Sequence, residues 1–160
     1  MRFLSLLLIA ISTFVACGGD DDCNQQLVIP TLSATDVFDE NIRQIKNYID
    51  QNGLTAIETE SGLHVVTTNE GETAKPTICD NVTVEYSGYL LDGTEFDSGS
   101  VSFSLLNVIK GWQEGIPKFG KDGTGILLIP SYLAYGTNPP SNSGIPVNAV
   151  LAFDINLLDF

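Results

Sequence analysis

Positive charge is scarce in this chain: seven lysines and arginines stand against 20 aspartates and glutamates, a net charge of −13 over 160 residues. That balance, with no polybasic cluster to offset it, excludes nucleic acid and anionic headgroups as electrostatic partners. Histidine occurs once, at His64, and cysteine three times, at Cys17, Cys23 and Cys79. None of these has the paired spacing that zinc requires, so neither a metal nor a cofactor is expected. His64 sits in a strand-like stretch and reads as a packed or surface strand residue rather than a base or ligand. No apolar run reaches the ~20 residues of a membrane-spanning helix. Asp92, Glu95 and Asp97 lie close in sequence without forming a recognisable acid/base pair, which disfavours a hydrolase. Gly120-Lys121-Asp122-Gly123 lacks the spacing and the Ser or Thr of a phosphate loop and reads as a turn. Asn81-Val82-Thr83 fits a glycosylation sequon by letters only.

What is present at the front is an export signal. Met1-Arg2 supplies one positive charge, Phe3 to Ala16 is apolar except for Ser5, Ser12 and Thr13, and Val15-Ala16 precede Cys17. Residues 1–16 are expected to be removed, leaving 144 residues with six basic side chains against 20 acidic ones, about −14. Cys17 at the cut resembles a bacterial lipobox cysteine, although Phe14 stands where leucine is usual. Gly18-Gly19-Asp20-Asp21-Asp22 resembles the acidic tether of Bacteroidetes lipoproteins. The resemblance implies lipid attachment at Cys17 and an outer-membrane anchor in the cell envelope, facing the periplasm or the surface; two acyl chains suffice for stable anchoring. The other reading is a cleaved, soluble export signal. Cys23 and Cys79 then lie in a disulfide-permissive compartment. Pairing them would close a long loop worth up to roughly 4 kcal/mol, and two unpaired thiols are the alternative.

Punctuation divides the remainder. Residues 17–34 are acidic, then polar with Pro30, and read as a tether. In residues 35–61, Val37, Ile42, Ile45 and Ile49 recur at helical spacing with acids in the first turn and Asn52-Gly53 as a stop, predicting an amphipathic helix from Asp36 to Gln51. Its stripe is expected to dock on the domain or on a second copy of the chain, which leaves dimerisation open. Residues 62–160 form the main domain. Gly62 to Val66 opens the first strand, and Asn81 to Leu91 alternates Val82, Val84 and Tyr86 before the hairpin signal Asp92-Gly93. A strand returns through Phe96, and Ser102 to Leu105 is expected as a separate short edge piece. Ile109 to Phe119 holds the only other helix, Gly123 to Ile129 is a strand, Pro130 to Pro146 a long loop, and Val150 to Leu158 the closing strand. Few helices and several antiparallel strands make an α+β domain.

Within that domain, Val108-Ile109-Lys110-Gly111-Trp112 runs a branched apolar pair through a glycine into the only tryptophan. With Val82/Val84/Tyr86, Asp92-Gly93-Thr94, Phe96-Asp97, Ala134-Tyr135-Gly136, Ile145-Pro146 and Leu151-Ala152-Phe153-Asp154, in that order, it resembles the FKBP-type peptidyl-prolyl cis/trans isomerases from Gly62 to the C-terminus. The resemblance implies a twisted antiparallel sheet half-wrapping one short helix, with a pocket between them. Trp112 would be the floor under a prolyl ring, with Tyr86, Phe96 and Phe153 as walls and Val108-Ile109 as one side. The Ile109 N–H and the Tyr135 hydroxyl would donate to substrate carbonyls, and Asp97 would face the pocket. Phe103 would lie on the rim, and Ile145 would close the mouth. The implied partners are proline-containing polypeptides and, by family habit, macrolide ligands.

Such residues suit the chemistry. Rotation about an X-Pro bond is slow because it breaks amide resonance across a barrier near 20 kcal/mol, yet it forms no new bond. The planar amide carries more charge separation than the twisted transition state, so an apolar pocket penalises the ground state more. An acceleration of about 10⁴ needs only about 5.5 kcal/mol of such preference. The loop Thr137 to Gly144 lacks the histidine or aromatic that some members carry there, and Val147 replaces a frequent proline. These departures sustain a second reading, a catalytically weak FKBP-like module that holds a proline-containing segment of an envelope partner.

Overall fold

The computed structural model describes residues 36–160. The signal segment, Cys17, Cys23 and the tether lie outside the described residues. Cys79 is disulfide-bonded. Six strands form one antiparallel sheet, β1 (Ile57–Glu58), β2 (His64–Asn69), β3 (Asn81–Leu90), β4 (Glu95–Ser104), β5 (Gly123–Ile129) and β6 (Leu151–Asp159), in the order β1-β2-β5-β6-β3-β4. Helix α1 (Asp36–Asn52) precedes the sheet, and the short α2 (Lys110–Gly115) follows β4.

Helix α1 ends where Asn52-Gly53 predicts. Gly53 adopts a left-handed φ of 61°, its N–H donates to Asp50 O, and the Leu54 N–H reaches back to Ile49 O. This double closure satisfies the last carbonyls in a Schellman motif. The helix docks on its own domain. Ile45 is fully buried against Leu128, Val150 and Ala152. Asn41, also buried, donates to Asn148 O at 3.2 Å and accepts the Ser131 N–H at 2.8 Å. A buried amide with both ends paired ties the helix to the segments on either side of the long loop.

The β3–β4 hairpin forms as its turn residues dictate: Gly93 has a φ of 88°, and the Leu90 N–H donates to Thr94 O. Strand β4 differs from expectation. Ser102 to Leu105 is not a separate edge piece, because Glu95 through Ser104 pairs with β3 as one strand. The predicted helix over Ile109 to Phe119 is also divided, into α2 and a 3-10 helix at Ile116–Lys118 where Pro117 can donate no hydrogen bond. Further 3-10 helices occupy Leu105–Asn107 and Ser131–Leu133, the latter inside the predicted loop.

Alternation along β5 and β6 sorts the core. Leu127, Ile129, Leu151, Phe153, Ile155 and Leu157 face α2 with Trp112, Ile116 and Phe119, whereas Leu128 and Ala152 face α1. His64 is buried at the start of β2, where its Nδ1–H donates to Gly62 O at 3.0 Å; its neighbours Leu63 and Val65 belong to the Trp112 cluster, so strand alternation turns His64 to the other face as a packed strand residue.

Candidate active site

Two glycines on one side of α2 bring the helix onto the sheet. A Cβ at Gly111 would stand 2.4 Å from Ile129, and one at Gly115 would stand 2.7 Å from Leu127. Only glycine permits that approach, and it lowers Trp112 onto the strands. The indole meets the rings of Tyr86 and Phe153 edge-on, with centroids 5.1 Å away in both cases, and lies 5.3 Å from Phe103 at a shallower tilt. Phe96 and Phe153 meet nearly at right angles, 5.5 Å apart, over Gly88, where a Cβ would strike both rings. Each such pair is worth about 0.5–1.5 kcal/mol beyond area burial.

The rings enclose a cavity of about 480 Å³ open at one end. It is lined by Tyr86 from β3, Phe96, Asp97, Val101 and Phe103 from β4, Asn107, Val108 and Ile109 before α2, Trp112, Tyr135 and Phe153. Nine of the residues singled out in the sequence are therefore gathered on one wall or another. Ile145 is not among them: it packs half-buried against the main core. Cys17 lies outside the described residues. Val101 and Asn107 are additions that the sequence pattern did not mark.

Neighbours in a regular strand point to opposite faces, yet Phe96 and Asp97 both line the cavity. The register explains this. Tyr89 pairs with Glu95 and Gly88 with Asp97, so Phe96 is an extra residue, and this bulge re-aims its side chain inward.

Polar groups are few and placed. The Tyr86 hydroxyl donates to Asp97 Oδ2 at 2.8 Å. Burial, reinforced by the Asp97 carboxylate, pushes the Tyr86 phenol up to about 12, and burial likewise raises that of Tyr135. Both hydroxyls thus remain protonated donors across neutral pH. Asp97 is the one carboxylate lining the cavity. The Ile109 N–H has no acceptor among the described residues, and its φ of −59° and ψ of 150° hold it outside the helix that its carbonyl caps. Gln113 sets this segment: buried, it donates to Val108 O at 2.8 Å and Leu106 O at 3.3 Å while Lys110 holds its carbonyl oxygen. Its position one residue after Trp112 was the only sequence signal for that role. No cluster of three metal-binding side chains exists among the described residues. The arrangement can hold an apolar ring against tryptophan and donate hydrogen bonds at its margin, and it presents no cysteine, histidine or activated hydroxyl as a nucleophile.

Comparison with known proteins gives the same direction. Residues 72–158 match the family model of the FKBP-type peptidyl-prolyl cis-trans isomerases. A probable isomerase of this type, FkpA of Neisseria meningitidis serogroup B, is 45% identical over 105 residues, 62% of this chain and 38% of the relative. FkpA of Escherichia coli K12 is 39% identical over 119 residues, 71% of this chain and 43% of the relative. The chain spans less than half the length of these two relatives. The crystal structure of Escherichia coli FkpA superposes with a TM-score of 0.67 at 35% identity, covering 78% of this chain and 60% of that one.

Proposed function

The chain belongs to the family of FKBP-type peptidyl-prolyl cis-trans isomerases, and from that premise we propose that it accelerates X-Pro rotation in exported polypeptides as a folding helper of the cell envelope. The observation that carries this reading is the aromatic cavity over Trp112, with a hydroxyl, a carboxylate and an unpaired backbone N–H at its margin. The prolyl ring would lie on Trp112 between Tyr86, Phe96 and Phe153, beside Val108 and Ile109, with Phe103 on the rim. The Ile109 N–H and the Tyr135 hydroxyl would hold carbonyls flanking the twisting bond. Asp97 would fix the Tyr86 hydroxyl, keeping the wall rigid as well as polar at one point. Ile145, half-buried on the loop that follows Tyr135, would close the mouth when that loop meets substrate. Burying the amide among rings costs its planar form more than its twisted form.

The test is the cis-to-trans rate of short X-Pro peptides with apolar, basic and acidic X. Folded protein should exceed the uncatalysed rate by orders of magnitude, and Phe96→Ala or Asp97→Ala should each lower kcat/KM at least tenfold in protein that circular dichroism shows to be folded at the assay temperature. Rates unaffected in both variants would remove the reaction from this cavity. Acidic X should be poorest, given Asp97 and the net charge of −13.

The export signal and Cys17 support a second part of the proposal, that the mature chain is lipid-anchored. Palmitate labelling of cells should mark the protein and be abolished by Cys17→Ser; labelling that persists in that variant would take the lipid away from Cys17, and no labelling of the wild type would leave only a soluble exported form.

A further inference from the structure

Strand β4 is an end strand of the sheet, and no described strand pairs with its outer side. At its far end the Leu105 N–H donates to Asp80 O. From that bond the regular register alternates, so Asp97, Gly99, Val101 and Phe103 turn their backbone groups toward β3, while Ser98, Ser100 and Ser102 turn theirs outward. A free edge of this kind is ordinarily blunted by lysine, proline or a bulge. Between Ser98 and Ser104 none of these occurs and no charge is present; the only irregularity is the bulge at Phe96, at the cavity end.

The edge is continuous with the cavity. Asp97, Val101 and Phe103 belong to its lining, and Val101 remains 44% exposed. Between Asp97 and Val101 the side-chain position facing the cavity is Gly99, where an added Cβ would meet nothing within 4 Å. The rim is lowest there, so a chain with its proline over Trp112 can leave the cavity across Gly99 and reach the outer backbone of β4.

We propose that β4 is an extended subsite: residues of the polypeptide substrate on one side of the proline pair with Ser98, Ser100 and Ser102 as an added strand. This rests on the isomerase reading. The outward groups from Ser98 to Ser102 span about 13 Å, room for four or five substrate residues. Backbone pairing reads no side chains, so the site suits unfolded chains of varied sequence, with an apolar residue over Val101 favoured and a second proline at a paired position rejected.

The experiment compares the full chain acting on a four-residue X-Pro peptide and on peptides extended by six residues at either end. Extension at one end is expected to raise kcat/KM about tenfold, mainly through KM. Ser100→Pro, which removes an outward N–H and none of the ladder to β3, should abolish that gain and leave the four-residue rate unchanged. N-methylating the extension at alternate amides should abolish it with the protein unaltered, which covers a variant that folds poorly. A gain at neither end, or one that survives both changes, overturns the subsite while the isomerase stands. Absence of turnover with every peptide overturns the isomerase reading instead. Amide exchange at Ser98, Ser100 and Ser102 then decides the edge: protection by the extended peptide supports it and unchanged exchange overturns it.

Discussion

On the face of the sheet that meets α2, Leu127, Phe153 and Ile155 join Trp112, Ile116 and Phe119 in one large cluster, and the rings at its margin stand apart to leave the aromatic cavity. On the face that meets α1, Ile45 covers Leu128, Val150 and Ala152, and beyond them the surface turns polar, with Tyr89 donating to Asp154 and Asn156 to Glu85. A groove of about 500 Å³ lies on this side too, lined by Gln44, Asn47, Tyr48 and Gln51 of α1, by Leu90, Leu91 and Asp92, and by residues 146–150. Volume is nearly equal on the two faces. The difference lies in the kind of apolar surface: aliphatic side chains and amides, with Tyr48 as the one aromatic ring, line one hollow, and the six rings of Tyr86, Phe96, Phe103, Trp112, Tyr135 and Phe153 line the other. Packing is spread over both faces, whereas the proposed chemistry belongs to the face where packing leaves a hollow lined with rings.

Exchanging one buried side chain on each face tests that division. Phe153→Ala removes a ring that belongs both to the core and to the cavity wall. It is expected to cost about 3–5 kcal/mol of unfolding free energy and more than tenfold in kcat/KM. Leu128→Ala, on the adjoining strand with its side chain toward α1, is expected to cost about 2–5 kcal/mol with kcat/KM of the folded protein unchanged. Denaturant unfolding and peptide turnover measured on the same samples decide the matter. An activity loss in Leu128→Ala comparable to that in Phe153→Ala would show that the two faces are mechanically coupled.

The sequence made the periodic features legible. Val82, Val84 and Tyr86 alternate visibly, and Asp92-Gly93 and Asn52-Gly53 each demand a left-handed residue where the structure has one. Trp112 and its motif neighbours pointed to the cavity as a set, since each alone is indistinguishable from a core aromatic. What escaped reading depends on tertiary pairing. Ser98-Gly99-Ser100 carries little strand propensity, yet it is drawn into a continuous β4 because β3 offers an unbroken ladder. The inward aim of Phe96 depends on a bulge that no local pattern signals. Asn41 and Gln113 look like solvated helix residues and are instead buried amides that tie segments together. Ile145 packs half-buried against the core, as Tyr86, Phe96 and Tyr135 do, but is not in the cavity lining.

The smallest expected effect distinguishes the site's polar margin from an ordinary phenol on the surface. A free tyrosine ionises near pH 10. Tyr86 is pushed up to about 12, first by burial and then by the Asp97 carboxylate that accepts its hydrogen bond. Its folded value is raised, so the stability that its protonated form contributes is whole below pH 10 and is lost as pH rises from 10 through 12. Turnover that depends on the Asp97-held hydroxyl should follow the same window, flat from pH 7 to 10 and falling only above it. Tyr86→Phe should lower kcat/KM a few-fold at pH 7, about the worth of one hydrogen bond, and should remove the part of the alkaline decline that belongs to Tyr86. A midpoint near pH 10 in the wild-type profile that disappears in Tyr86→Phe would mean that this phenol titrates as if in water. The cavity margin would then be as solvated as the groove beside α1 on the opposite face.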